Sequence, residues 1–562
     1  MKQQGLLKGS AILMVAMLVS KLTGAIFKIP LTNMLGGTGM GYFSSAYELF
    51  LPVYSALASG LPTAFVRLVA ENSARGRYAD IRKLRKISIA AFLVLGIIGT
   101  AAIILLSKPF SMYIAQNPNC IYSIYMLAPS MIFCCLASIE RGYYEGMRNM
   151  YPTAISQIVE GIVKTVFGLC LAYFVLKTGI HDYETKRTVI GISVSTYDEA
   201  YRLILPYAAA AAMIGITISE AAGFLVIFIK NRLFGDGISK EMINNAPKPK
   251  RAKALIKELL AISIPIAVGA TVLSLSSFID LATIIRGLKS AIKTNPEYFY
   301  KKFELALNNG TNIEELPNFI YGAYMGLTST IIGFVPIVAA MLGKSTLPNL
   351  TAVFVSGDKR KIKSNIEDIM RAGLIFSFPA GLGICVMSEP ILNLLYPMRP
   401  NEVMVTVTSM SVLGISAIFV SLSLPLCSML QAVGKEKMVV LVMIFGESVK
   451  LAGNILLIKI PEINVFGAAI SELVSSLIII VIEMVILLKT VKVGLRFKRI
   501  FFFPAICSLS CCFVAVLSFN MLKSLLSQSK NLIISVTFSV ICYIILLLIT
   551  KTVRIGEIKR KN

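Results

Sequence analysis

Blocks of about 20 predominantly apolar residues recur along nearly the whole of this 562-residue chain. That is the length an α-helix needs to cross about 30 Å of hydrocarbon. Inside lipid every backbone amide must find its partner within the protein, so such blocks have one ready solution, the helix. Composition agrees: 56% of residues are hydrophobic and only 15% charged, where a soluble domain carries about 25% charge. The expected fold class is therefore an all-α polytopic membrane protein. Hydropathy places about fourteen transmembrane helices, centred near residues 20, 52, 95, 130, 165, 215, 270, 330, 377, 415, 447, 477, 511 and 541. The first block lacks a small-x-small cleavage site and continues through Lys21 to Leu35, so it reads as a retained helix and not as a leader.

The formal net charge is +25. On a soluble domain this would point to nucleic acid; here the placement of the charge explains it, and no nucleic-acid partner is expected. Connections after even-numbered spans are basic: Arg67, Arg75, Arg77, Arg82, Lys83, Arg85 and Lys86 fall in one of them, and 230–257, 359–363, 489–499 and 551–561 follow suit. Connections after odd spans carry little charge, as in "GGTGMG" after the first. The positive-inside rule then puts both termini in the cytoplasm, which an even number of crossings requires.

The ten cysteines include no C-x-x-C pair, and all but Cys120 fall within apolar spans. They read as small hydrophobes packed between helices, and no metal site, disulfide framework or cofactor is expected. The single histidine, His181, leaves no room for histidine-based catalytic triads, and no catalytic residue is assigned.

The chain also repeats itself. "SGLPTAFVRLVAENSARGR" from Ser59 is echoed by "STLPNLTAVFVSGDK" from Ser345, at an offset of about 286 residues. At the same offset "YYEGMRNMYPTAISQIVEGIVK" from Tyr143 lies over "MLQAVGKEKMVVLVMIFGESVK" from Met429, and "GITISE" from Gly215 pairs in order with "GAAISE" from Gly467. Two pseudo-symmetric six-helix bundles are expected, at residues 1–235 and 254–490, joined by a basic cytoplasmic linker at 236–253. Residues 491–562 supply two additional helices and a basic tail. Parallel repeats of this kind belong to alternating-access transporters. Two loops interrupt the pattern, at 177–202 and 287–318; in the second, "NPEYFYKKFELALNNG" is expected to form a short helix capped by Asn295 and stopped at Asn309–Gly310.

A charge at the centre of a spanning helix costs roughly 2.5–3.5 kcal/mol on insertion scales, so intramembrane ionisable residues mark function or pairing. Lys21 and Lys28 share one helical face with Gly24. Glu48 lies on the second span; Asp280, beside Ser276, Ser277 and Thr283, and then Arg286 lie on the seventh. These five are the candidate substrate-binding residues, with a Lys21–Asp280 ion pair as the structural alternative. Glu160 and Lys164, four apart, and Glu447 and Lys450, three apart, read as charge pairs within a helix. Glu220 and Glu472, in the repeated Ile-Ser-Glu, read as ties between helices. A lysine-lined cavity suits an anion, and a lipid-linked sugar diphosphate above all. "MLGKST" at Met341 ends like a phosphate loop, but Val338 stands where its first glycine belongs. Energy is then expected from ions or the membrane potential, and a coupling cation is left open as a further partner.

The stretches "SKLTGAIFKIPLTNMLGGTGMGYF", "GLPTAFVRLVAEN", "GYYEGMRNMYPTAISQIVEGIVK" and "LQAVGK" resemble the stage V sporulation protein B group of bacterial polysaccharide-biosynthesis membrane proteins. That group is similar to the MurJ lipid II flippases, within the multidrug/oligosaccharidyl-lipid/polysaccharide exporter superfamily that includes the MATE transporters. The resemblance implies a V-shaped pair of bundles around a cavity that opens alternately to each side, with the last two helices forming a groove for a lipid tail. It implies as substrate an undecaprenyl-diphosphate-linked peptidoglycan or polysaccharide precursor, carried from the inner to the outer leaflet. Lys21 stands in the Ser-Lys-x-x-Gly frame where MurJ flippases usually have arginine, Lys28 is displaced by one residue from their second arginine, and their basic residue late in span 2 has no match. Two other classes are weighed against this: a cation-coupled multidrug exporter, which usually stops at twelve spans, and a glycosyltransferase or ligase, which has no need of two equivalent bundles.

Overall fold

Apolar segments leave the backbone only itself to bond with, and the chain answers with helix after helix. The structure, a computed structural model, describes residues 6–308, 312–337, 339, 353–354, 358–550 and 552. Among these, thirteen segments are long and apolar enough to cross a membrane, against the fourteen or so expected. The first, Val15–Ala74, has 60 residues and would reach about 90 Å as a straight rod, three times a bilayer core. It is not straight. Gly36 has φ 63° and ψ −172°, a backbone region open essentially to glycine alone. The "GGTGMG" stretch, read from the sequence as a connection, thus opens on a one-residue break at Gly36 and is helical after it.

The glycines after the break make room for the helix Leu316–Ala323. A Cβ on Gly322 would lie 1.9 Å from the Gly37 carbonyl oxygen, and one on Gly41 would lie 2.2 Å from Asn318 Oδ1. The Asn318 amide donates to the Thr38 carbonyl at 3.0 Å. Only hydrogen fits at these crossings.

The described chain forms two compact units: Met1–Arg286 with Glu304–Gly322, and Gly287–Phe303 with Ala323–Asn562. In the first, helices Tyr78–Pro109, Ser130–Gly146, Tyr151–Lys186 and Tyr197–Phe234 surround the broken first segment, and Ala252–Thr294 joins them along most of its length. At Gly60 its backbone comes close enough that a Cβ would sit 2.1 Å from the Ser263 carbonyl oxygen. The basic 67–86 stretch is a clamp as well as a charged surface. Arg82 pairs with Asp236 at 3.1 Å, Asp80 accepts the Lys250 amide at 2.7 Å, and Lys83 donates to the Lys250 carbonyl at 2.8 Å. These bonds hold segment 236–250 against the first unit.

The two loops are more ordered than the sequence implies. Helix Tyr151–Lys186 runs on to a left-handed Arg187, and a two-stranded hairpin pairs Thr188 with Ser193 and Val189 with Ile192. Its central residues, Ile190 and Gly191, have φ 52° and 79°, the double positive φ that a tight hairpin turn needs. In the 287–318 segment the Asn295 side chain accepts the Tyr298 amide at 3.2 Å, as expected of a cap. One expected helix is two, Pro296–Lys302 and Glu304–Asn308, with Phe299 and Phe303 stacked at 5.8 Å. The stop at Asn309–Gly310, the phosphate-loop-like "MLGKST" and the basic tail beyond Thr552 lie outside the described residues.

In the second unit, helices Lys359–Val386, Pro400–Ala432, Glu436–Leu457 and Phe466–Val491 are followed by Phe503–Leu522 and Gln528–Ile549. Asp358 caps the first of these; the amides of Lys361 and Arg360 hold its carboxyl below the usual range. Gly381 and Gly414 let two helices touch backbone to backbone, each Cβ position lying within 2.6 Å of the other's carbonyl oxygen. The last two helices dock through Cys507, Cys511, Cys512, Tyr543 and Leu547 onto Ile375 and Leu382. The Tyr543 hydroxyl donates to the Ile375 carbonyl at 2.8 Å.

The glycine crossing makes a prediction. Gly322→Ala forces the Leu316–Ala323 helix away from Gly37 and is expected to cost about 1–3 kcal/mol, as overpacked sites do. Thermal unfolding of the purified protein in detergent should show a lowered midpoint, whereas Gly24→Ala, in open space, should leave it unchanged.

Candidate functional site

The first helix has a packed face and an open one. Thr23 and Phe27 face helix Tyr151–Lys186, where Gly161 and Gly168 leave room: Cβ atoms there would come within 2.3 and 2.6 Å of them. On the other face a Cβ at Gly24 meets nothing within 4 Å. Lys21 is exposed there and, among the described residues, belongs to no ion pair, so the alternative Lys21–Asp280 pair is not formed. Lys28 is half-buried, and the Glu48 carboxylate, 3% exposed, acts on it electrostatically.

The other two candidates lie on helix Ala252–Thr294. Asp280 is buried at 7% exposure. Its neighbour Thr283 turns its hydroxyl to the Ile279 carbonyl at 2.6 Å, so part of the expected polar face serves the helix's own backbone. Arg286 is exposed, and its Nη2 donates to the Tyr113 carbonyl at 2.6 Å. It anchors one helix end to another.

Glu160 is paired between helices, which corrects its within-helix reading. Among the described residues, Glu160 pairs with Arg141 at 2.6 Å and not with Lys164 one turn on. Arg141 also donates to Ser156 Oγ at 2.8 Å, which in turn donates to the Gly223 carbonyl at 2.8 Å. Glu220 faces the same cluster, with Glu160, Arg141 and the Cys134 thiol as its neighbours. In the second unit Lys450 reaches Glu472 at 2.7 Å, so the Ile-Ser-Glu glutamate of helix Phe466–Val491 ties it to Glu436–Leu457. Glu447 is half-buried one turn before Lys450.

Sequence reasoning missed three groups. Arg141 and Glu140 stand together at the end of their span, where hydropathy cannot separate interior from edge. Glu140 forms a buried pair with Arg85, whose guanidinium also lies 4.2 Å over the Tyr143 ring. The Arg85–Glu140 spacing of 55 residues leaves no local signal. The third is Glu483, which is fully buried beside Cys427. Among the described residues no group of three or more histidine, cysteine or acidic side chains is placed to hold a metal.

Broken apolar helices, glycine crossings and charges satisfied between helices define a multi-helix membrane protein. The chain belongs to the polysaccharide biosynthesis protein family, whose model matches residues 6–293, half of the chain; the lipid II flippase MurJ model matches residues 323–554. It is similar to the lipid II flippase MurJ of Bacillus subtilis (strain 168), with 24% identity over 81% of this chain and 78% of that one. It is also similar to stage V sporulation protein B of the same organism, with 21% identity over 100% of this chain and 98% of the relative. Among solved structures, a lipid II flippase MurJ in an inward closed conformation matches with a TM-score of 0.64 at 14% identity, covering 96% of this chain and 98% of that one. An inward-facing multidrug-resistance MATE transporter matches with a TM-score of 0.57 at 13% identity, covering 84% of this chain and 96% of its own. These structures share the fold.

Arg141→Leu would leave Glu160 and Glu220 facing each other without a cation. Loss of one partner of a buried pair costs about 3–5 kcal/mol; with the pair partly exposed here, about 3 kcal/mol is expected. Arg141→Leu combined with Glu160→Gln should recover most of the loss of thermal stability, and an equal deficit in both variants would count against the pairing.

Proposed function

We propose that this protein is a flippase for an undecaprenyl-diphosphate-linked peptidoglycan or polysaccharide precursor, moved from the inner to the outer leaflet of the bacterial cytoplasmic membrane by alternating access. One observation carries the reading: Lys21 lies beside Gly24 on the unpacked face of the first helix, exposed and in no ion pair among the described residues. An ammonium group at membrane depth is costly unless an anion or water meets it, and a diphosphate supplies that charge while its tail stays in hydrocarbon. The similarity to lipid II flippases and to stage V sporulation protein B over most of the chain supports it.

In this reading Glu48 is the counter-charge beside Lys28, and the substrate diphosphate is held on the open side by Lys21. Arg286 and Asp280 contribute from the seventh helix by shaping its end. In this reading the two arms of Val15–Ala74 on either side of Gly36 are separate crossings, fourteen in all, with both termini in the cytoplasm. The last two helices present the groove for the lipid tail. Ions or the membrane potential drive the cycle, the potential being worth about 2.3 kcal/mol per charge per 100 mV.

Native mass spectrometry of the purified protein tests this. Wild type and Lys21→Ala are each offered a lipid-linked disaccharide diphosphate and a cationic dye. Selective retention of the diphosphate lipid by wild type, reduced at least tenfold in Lys21→Ala, is expected; a tenfold loss corresponds to about 1.4 kcal/mol. Retention of the dye alone would move the chain to the multidrug-export branch.

A further inference from the structure

Glu48, Glu140, Glu160 and Glu472 each face a cation. Glu483 does not. It lies two turns before the end of helix Phe466–Val491 and is 0% exposed. Around it, Ile480, Met484 and Leu487 of its own helix meet Leu426 and Leu430 of Pro400–Ala432 in one apolar cluster. Lys359–Val386 adds Met370 and Leu374 to that cluster, and Glu436–Leu457 adds Val439. The polar groups that face the carboxyl both come from Pro400–Ala432. The Cys427 thiol donates to Oε1 at 2.9 Å, and Ser423 Oγ lies 3.7 Å from that sulfur and also faces the carboxyl. Oε2 has no partner, and among the described residues no charged side chain from any packed element acts on the group.

A carboxylate buried without a counter-charge takes up a proton rather than remain ionised. A metal cation is a poor second occupant. Hard cations call for several oxygen ligands, and this site offers one carboxyl, one hydroxyl and a soft thiol.

We propose that Glu483 is a proton-binding site, loaded while helices Pro400–Ala432 and Phe466–Val491 are packed at Cys427 and emptied when that seam admits water. Loading moves one proton from water to Oε2 and removes the negative charge; unloading returns the proton to water and leaves the carboxylate. The use of this proton to couple transport rests on the flippase reading, but the protonation itself does not.

Infrared spectroscopy of the full-length protein in lipid nanodiscs reads the proton directly. At neutral pH, wild type minus Glu483→Gln should show one C=O band of a neutral carboxylic acid, shifted to lower frequency in deuterated water. Cys427→Ala should keep the band and shift its frequency, because the thiol no longer touches the carboxyl. The absence of an acid band from the difference overturns the proposal. Should Glu483→Gln not fold, wild type minus Cys427→Ala serves instead: a displaced acid band supports the site, and no change in the acid region overturns it. Substrate-stimulated proton movement in proteoliposomes then tests coupling, with its loss expected in Glu483→Gln and an unchanged rate removing Glu483 from the cycle. Diphosphate-lipid retention depends on the lysines, so failure of either reading is seen separately.

Discussion

An ionised side chain on an apolar span is stable only where an opposite charge or water meets it, and much of this molecule is organised by that requirement. Arg85 with Glu140, Arg141 with Glu160 and Lys450 with Glu472 each close a seam between two helices. Hydrophobic packing cannot fix such seams by itself, because a neighbouring helix and a lipid tail are equally apolar. The pairs therefore do for this protein what a hydrophobic core does for a soluble one. They choose which helices are neighbours. Lys21 stands out against that background, since among the described residues it belongs to no ion pair.

Glycine provides the complementary device. At Gly37, Gly41 and Gly322, at Gly60, and at Gly381 with Gly414, backbones approach more closely than any side chain allows. Close backbones maximise van der Waals contact where water gives no driving force. Close approach and charge pairing act together at Gly223, where a Cβ would lie 3.0 Å from Arg141 Nη2: the helix that carries Glu220 is bare at the point where the guanidinium must pass.

The architecture was legible because its signal is local and repeated: apolar length gives helices, and basic connections give an expected orientation. Individual residues that depend on one helix were legible as well, such as the Asn295 cap and the shared face of Lys21, Gly24 and Lys28. Glu472 was legible as a tie between helices; what the sequence hid was which partner each charge finds across a seam. Glu160 had a lysine one turn away and still turned to Arg141, because spacing along one helix says nothing about a second. Glu483 lies in an unbroken apolar run, and only its burial beside Cys427 separates it from a glutamate at a span's edge. "GGTGMG" looked like a loop because six glycine-rich residues normally are one, and the helix packed against them was far away in sequence.

The clamp on segment 236–250 changes where this chain can be divided. The sequence repeat invites a cut there, giving two halves of six and eight helices. Such a cut would send helix Ala252–Thr294 with the later half, although Gly60 and Phe110 touch it at Ser263 and Phe278 in the first compact unit. Two separately expressed fragments would then share one long helical seam as their template for reassembly. The boundary between the two compact units falls at Arg286–Gly287, within helix Ala252–Thr294, so a cut that spares both units cannot be placed in segment 236–250.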